Sequence, residues 1–177
     1  MTEREFHKVY PRIIEWIHDL LAGHAADARA VGSLGFKRLP RYYGATTLAA
    51  AKVVVVAQVP VPPLSAMGLS QFSKFEEMAS DGITYLDTYF VRAERGQEES
   101  LHFHELVHVI QWRLLGPGVF LAVYAAGLER FGYRKSPLET TAYDLQARFD
   151  LEAEPFDAEA ACQQSIQKLG NEFVWTK

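Results

Sequence analysis

Apolar side chains recur at helical spacing in the first part of the chain. Between Phe6 and Leu21 they return every three or four residues, which predicts an amphipathic helix. Thr2 and Glu5 have the spacing of a capping box at its start. We therefore expect a helix within residues 2 to 30, in which Pro11 either introduces a kink or starts a second helix.

Two later stretches have the composition of β-strands. The run from Val53 to Val56 is β-branched throughout and is followed by prolines, which predicts an interior strand covered on both faces. Residues 82 to 92 are rich in β-branched and aromatic side chains and predict one further strand. We expect the edge of this strand either to pair with an extended peptide or to be an ordinary packed strand.

The rest of the chain is predicted to be helical. From Ser100 to Gly116 it is apolar almost all round, which is typical of a buried helix, with Ser100 as N-cap and Gly116 as the stop. Gly170 is expected to end the last of three further helices, at 117–131, 137–150 and 155–169. Together the elements predict one α+β domain over residues 1–177, with a small mixed or antiparallel sheet packed on the buried helix and a helical C-terminal half.

Composition narrows the classes of function. The 177 residues are 49% hydrophobic, which is enough for a sizeable core, and the net charge of −4 argues against a nucleic acid partner. No apolar run approaches the ~20 residues that span a bilayer, and no export signal is visible. The single cysteine, Cys162, excludes an internal disulfide and is expected to be buried. We therefore expect a cytoplasmic protein with no membrane partner.

The predicted buried helix carries the most specific chemical signal, the sequence HExxH formed by His104, Glu105 and His108. Residues four apart lie one turn apart on one helix face, so both imidazoles can reach one metal ion. Two imidazoles and a third protein ligand hold zinc and leave a position for water, from which Glu105 can take a proton. The alternative is that the motif occurs by chance and that the two histidines are core residues satisfied by hydrogen bonds.

A carboxylate must be the third ligand, because no histidine follows His108. Glu139 is best placed, since it opens a helix that can fold back on the metal helix. Ser136 and Glu139 also have capping-box spacing, so Glu139 is either a metal ligand or a helix cap. The other candidates are Glu129, Asp144, Asp150, Glu152 and Glu154.

The order of these features resembles a known family. A strand, then His-Glu-Leu-Val-His on a buried helix, then a second helix and Glu139 in Leu-Glu-Thr-Thr-Ala-Tyr-Asp is similar to the zincin metallopeptidases of the gluzincin type, over residues 82 to 150. The similarity is greatest to minimal single-domain bacterial forms. It implies a zincin-like fold, one zinc ion per chain held by His104, His108 and Glu139, and Glu105 as the general base.

The function implied by the resemblance is that of a zinc-dependent hydrolase, a peptidase that cleaves peptide or amide bonds in a peptide or protein substrate. Tyr143 stands where thermolysin-type enzymes carry an aspartate, four residues after the glutamate ligand. Tyr143 and Tyr133 are candidates for stabilising the transition state or supporting a ligand, and Tyr124 and His102 are further candidates for the oxyanion donor. The alternative function is a catalytically inactive, zinc-stabilised binding module with a zincin-like fold.

Overall fold

The computed structural model describes residues 2–151 and 154–172 and has an α+β architecture with a helical C-terminal half, as predicted. The helices are α1 (Glu3–Gly23), α2 (Ala45–Ala50), α3 (Ser73–Glu76), α4 (Glu99–Phe131), α5 (Pro137–Asp150) and α6 (Ala158–Glu172). The strands are β1 (Arg29–Ala30), β2 (Lys52–Val56), β3 (Gly82–Tyr85) and β4 (Thr88–Arg92).

Helix α1 begins at the predicted capping box. The Thr2 hydroxyl accepts from the Glu5 N–H at 3.2 Å, and the Glu5 carboxylate accepts from the Thr2 N–H at 2.7 Å. The helix continues through Pro11 and ends at Gly23. It thus lies within the predicted range of residues 2 to 30, and at the end of that range residues 29–30 pair with β2.

The four strands form one mixed sheet in the order β1-β2-β4-β3. β2 runs parallel to β4, while β1 and β3 are antiparallel to their neighbours. β2 is an interior strand, as predicted, and its Val53 and Val54 pack into cores on opposite faces of the sheet. Val55, however, is 54% exposed, so the prediction that this strand is covered on both faces fails at its C-terminal end.

Residues 82 to 92 form a β-hairpin and not the single strand predicted. β3 and β4 pair in antiparallel register, with Tyr85 opposite Thr88 across the turn Leu86-Asp87. Leu86 has a φ of 58°, a conformation that glycine, asparagine and aspartate adopt more readily. Because leucine is not a typical turn residue, the composition of this segment does not predict the turn. The hairpin makes β3 an edge strand.

Helix α4 lies at the centre of the fold, and each residue from His102 to Trp112 is buried. It begins two residues earlier than predicted, with Glu98 at the N-cap position and no side-chain capping bond. Ser100 is therefore not the N-cap. Its hydroxyl lies in the first turn and donates to the Asp150 carboxylate at 2.9 Å.

Gly116 interrupts α4 at the predicted stop, with a φ of 70°. The second half of the helix packs closely on the start of α5, since a Cβ at Gly127 would lie 2.9 Å from the Ser136 side chain. By length and composition α4 is able to cross a membrane, yet half of its most apolar window is buried, and core helices of soluble proteins pass the same test. The cytoplasmic location and the absence of a membrane partner stay predictions.

Of the last two helices, only α6 differs from its prediction. Helix α5 has the predicted bounds, with Pro137 at its first position. Helix α6 begins at Ala158 because the Asp157 carboxylate accepts from the Ala160 N–H at 2.9 Å and caps it there. It runs to Glu172, so the prediction that Gly170 ends it is wrong. Cys162 on this helix is buried, as expected.

Candidate metal centre

Helices α4 and α5 bring His104, His108 and Glu139 together. One ligand atom from each lies within 4.8 Å of the others, and all three residues are buried. The two Nε2 atoms are 3.1 Å apart. The Glu139 carboxylate lies 3.5 Å from Nε2 of His104 and 3.4 Å from Nε2 of His108. Two ring nitrogens and one carboxylate therefore converge on a single point.

Gln111 fixes the orientation of the His108 ring. Its amide oxygen lies 2.7 Å from Nδ1 of His108, and its amide nitrogen donates to the Leu138 carbonyl at 3.0 Å. Because the amide nitrogen is committed to a carbonyl, the amide oxygen faces the ring and accepts the Nδ1–H. The lone pair of Nε2 in neutral His108 then points into the cluster.

His104 is oriented by a longer chain of hydrogen bonds. Its Nδ1 lies 3.0 Å from the amide oxygen of Gln146, whose amide nitrogen donates to the Ser100 hydroxyl at 2.9 Å. Ser100 in turn donates to Asp150. The final acceptor is the Asp150 carboxylate, so the Ser100 hydroxyl donates to it and accepts from the Gln146 amide nitrogen. The Gln146 amide oxygen therefore faces His104 and accepts the proton that Nδ1 carries. Neutral His104 therefore also presents an Nε2 lone pair to the cluster.

Neither glutamine is among the residues predicted for the site, although each leaves a signal in the sequence. Gln111 is a polar residue on an otherwise apolar helix, three residues after His108 and so on the same face. Gln146 follows Glu139 by seven residues, two helical turns along the same face of α5. Each glutamine hydrogen-bonds the Nδ1 side of one histidine of the cluster.

The resulting cluster favours a cation at its centre. Two lone pairs that face each other across 3.1 Å are stabilised by a proton or a metal ion between them. Oε2 of Glu139 is buried and has no hydrogen-bond partner among the described residues, a costly condition for a carboxylate oxygen. A metal ion at this point would satisfy all three groups.

The pKa values of the metal-free cluster indicate the same preference for positive charge. Burial lowers the pKa of His108, but the Glu139 carboxylate outweighs it and raises that pKa to about 9. Burial raises the pKa of Glu139, yet His108 and His104 hold it well below its usual range. Without a metal the cluster thus holds a proton next to an ionised carboxylate.

Glu105 is held beside the cluster by β3. It is 3% exposed, and the Thr84 hydroxyl donates to its Oε2 at 2.6 Å. A Cβ at Gly82 would lie 2.4 Å from its Oε1, so only glycine leaves room for the carboxylate. Burial raises the pKa of Glu105, and the two histidines and Thr84 offset this only in part. A buried carboxylate with a raised pKa is a suitable proton acceptor.

Tyr133 and Tyr143 both lie near the cluster but in different positions. The Tyr143 ring packs against the His104 ring with centroids 4.6 Å apart, and the Arg134 guanidinium lies over it at 4.8 Å. Tyr133 lines the cavity that also contacts Glu139. Burial, reinforced by Glu139, raises the pKa of both tyrosines. Both therefore stay protonated at neutral pH and are able to donate a hydrogen bond.

The other two candidate donors have structural partners. The Tyr124 hydroxyl donates to Oε1 of Glu139 at 2.7 Å and so positions that carboxylate. The ring nitrogens of His102 lie 2.7 Å from the Tyr89 hydroxyl and 3.0 Å from the Gly96 carbonyl. His102 is thus a core residue whose hydrogen bonds tie α4 to the sheet.

Among the described residues, none of the alternatives to Glu139 as a ligand joins the cluster. Ser136 occupies the N-cap position of α5 but makes no side-chain capping bond. Glu139 faces the histidines instead, so no capping box forms between these two residues. Glu152 lies outside the described residues. The other candidates for the third ligand are exposed: Glu129, Asp144, Asp150 and Glu154.

Comparison of the chain with models of protein families, with curated proteins and with solved structures finds no match. The interpretation of the site rests on its residues and their geometry. These are a buried donor set of two imidazoles and one carboxylate, held from behind by two glutamines, with a second carboxylate beside it.

Proposed function

We propose that this protein is a zinc-dependent hydrolase that cleaves amide bonds, peptide bonds included, with Glu105 as the general base. The observation that carries the proposal is the convergence of His104, His108 and Glu139 on one point. The proposal agrees with the gluzincin resemblance of residues 82 to 150, and the zincin-like fold that the resemblance implies is part of it.

Donor type and spacing support zinc, with one ion per chain. Two imidazoles and a carboxylate are a donor set of catalytic zinc sites, whereas calcium and magnesium prefer oxygen ligands. Ligand atoms about 2.05 Å from a tetrahedral zinc ion lie about 3.3 Å from one another. Here the two Nε2 atoms are 3.1 Å apart, and the nearest Glu139 oxygens, Oε2 for His104 and Oε1 for His108, lie 3.5 and 3.4 Å from them. His104, His108 and Glu139 would hold the ion.

A bound zinc ion supplies Lewis acidity, which polarises a substrate carbonyl and lowers the pKa of a water molecule. Glu105 accepts the proton of the attacking water and delivers it to the leaving amine nitrogen. Thr84 and Gly82 hold its carboxylate in place for both transfers. The protonated Tyr133 hydroxyl, which lines the adjoining cavity, is the candidate donor to the oxyanion.

A catalytically inactive, zinc-stabilised binding module is the second candidate. Such a module would use the same three zinc ligands. It is favoured by the buried hydrogen bond from Thr84 to Glu105, because this bond gives Glu105 a structural role. The two candidates differ in whether Glu105 transfers a proton or only packs against β3. A change that removes its basicity and keeps its shape therefore separates them.

The test combines elemental analysis, cleavage of a broad peptide and acyl-amide library, and the variant Glu105→Gln. We expect about one zinc per chain, and a value below about 0.2 after reconstitution removes the basis of the proposal. Glu105→Gln should keep its zinc and lose activity by about 10² or more. Asp144→Asn, which removes an exposed charge from α5, should keep both its zinc and its activity. Bound zinc without any cleavage favours the binding module.

A further inference from the structure

The metal cluster faces an apolar cavity. The cavity is walled by α1, by the segment from Val61 to Met78, by β3 and by the second half of α4. Glu105, His108 and Glu139 belong to the same lining. A group that occupies the cavity therefore lies beside the proposed reaction centre.

The cavity is long as well as apolar. Phe6 and Ile17 of α1 both line it, and at 1.5 Å per residue they are about 16 Å apart along the helix. Phe120 and Leu128 line the α4 side, about 12 Å apart by the same rise. This shape suits an extended apolar chain better than one compact side chain.

The chemistry of the lining points the same way. Among the described lining residues, acidic and imidazole side chains come only from the cluster and Glu105, and lysine and arginine are absent. The hydroxyl of Tyr85 and the indole N–H of Trp112 already donate to the carbonyls of Pro60 and Thr84. A polar ligand would find few free partners away from the cluster.

The edge of β3 is poorly suited to bind a peptide backbone. The Arg92 N–H donates to the Asp81 carbonyl, so the alternation of an antiparallel ladder turns the backbone groups of Gly82 and Thr84 outward. Both outward carbonyls already accept hydrogen bonds, from the Ser80 hydroxyl and the Trp112 indole. An added peptide strand would have to share both carbonyl oxygens with these bonds. The cavity is therefore the better recognition element.

We propose that the substrate is an N-acyl amide whose long, unbranched acyl chain lies in this cavity, with its carbonyl at the His–Glu cluster. The inference rests on the proposed function for its hydrolytic step. In that step the C–N bond breaks, the hydroxyl of water joins the acyl carbon, and the proton passes to nitrogen. The products are a long-chain carboxylic acid and an amine.

The test measures binding by calorimetry to the Glu105→Gln protein, which should not turn the probes over. The probes are N-butanoylglycine, N-octanoylglycine and N-dodecanoylglycine, each with and without zinc. Affinity should rise by about fourfold for each further methylene that is buried. N-acetylleucylglycine serves as the probe with one branched, peptide-like side chain and should bind no better than the butanoyl compound.

Two neighbouring alanines on α4 provide a matched pair of variants. Ala125 lines the cavity, whereas Ala126 does not. Ala125→Phe should weaken dodecanoylglycine binding by about tenfold or more, because the ring takes the space of several methylenes. Ala126→Phe should leave it within about twofold, as expected for a change outside the lining. Equal zinc content and melting temperature would show that both variants are folded.

Equal affinity for the three chain lengths, or unchanged binding in Ala125→Phe, overturns the inference while the zinc proposal stands. Leucyl binding as tight as dodecanoyl binding also overturns it, in favour of a peptide side chain. If the protein binds no zinc after reconstitution but its affinity still rises with chain length, the acyl cavity is supported and the proposed hydrolase is refuted. The two proposals therefore fail by different results.

Discussion

Replacing Glu139 by glutamine tests the centre most directly. The side chain is 2% exposed and lies 3.4 Å from His108. One carboxylate oxygen accepts from Tyr124, while the other lies 3.5 Å from Nε2 of His104 and has no hydrogen-bond partner among the described residues. Glutamine keeps the shape and the Tyr124 bond but removes the negative charge. It thus isolates the contribution of a charged ligand.

The expected loss of zinc affinity follows from the number of ligands. Structural zinc sites with four protein ligands bind with about 12 kcal/mol, or about 3 kcal/mol per ligand. Losing one ligand should therefore raise Kd by roughly 10²-fold. In the zinc-free protein the substitution also removes the attraction that raises the pKa of His108 to about 9. The free energy of unfolding should therefore fall at neutral pH by no more than this pH-dependent contribution, because His108 can release its proton and leave no unpaired charge.

Titration with a competing chelator measures the zinc affinity, and urea denaturation of the zinc-free protein measures the stability. Asp144→Asn is the control, since it removes one exposed negative charge from the same helix. A Kd for Glu139→Gln within about threefold of the parent, against the expected 10²-fold, would refute the ligand assignment. The third ligand would then be one of the exposed carboxylates or Glu152.

Ser136→Ala separates the ligand role of Glu139 from a capping role. The Ser136 hydroxyl is buried without a hydrogen-bond partner among the described residues. Removing a capping serine usually costs about 0.5–2 kcal/mol. Here stability should stay the same or rise, because an unsatisfied buried hydroxyl is lost. A loss of about 1 kcal/mol or more in urea denaturation would show that Ser136 caps α5 after all.

Three further results are expected. Gly82→Ala places a Cβ 2.4 Å from Glu105 and should lower activity while elemental analysis finds the zinc content unchanged; full activity would show that Glu105 does not need this space. Gln111→Leu removes the anchor of His108 and should weaken zinc binding by about 10- to 100-fold in the chelator titration; unchanged affinity would show that the anchor is dispensable. In the zinc-free protein the pKa of His108 is raised to about 9, so its stabilisation is complete below about pH 6.5 and is lost as pH rises through about 9; urea denaturation across this range should show the decline, and Glu139→Gln should abolish it.

The local pattern of the chain predicted its helices and the residues that converge. The capping box at Thr2, the buried helix with its interruption at Gly116, and helix 137–150 are all present. Helical periodicity and caps are properties of neighbouring residues, so they can be read without the fold. The same holds for the pair His104 and His108, whose spacing alone places them on one helix face.

Only the tertiary structure decided what surrounds these residues. A leucine at positive φ turns 82–92 into a hairpin, and this hairpin brings Thr84 to Glu105, 21 positions away in the sequence. Packing of α5 on α4 brings Gln146 to His104, 42 positions away. The apolar cavity likewise exists only once α1 and both halves of α4 are assembled. Such contacts depend on which surfaces meet, and sequence periodicity carries information about one element at a time.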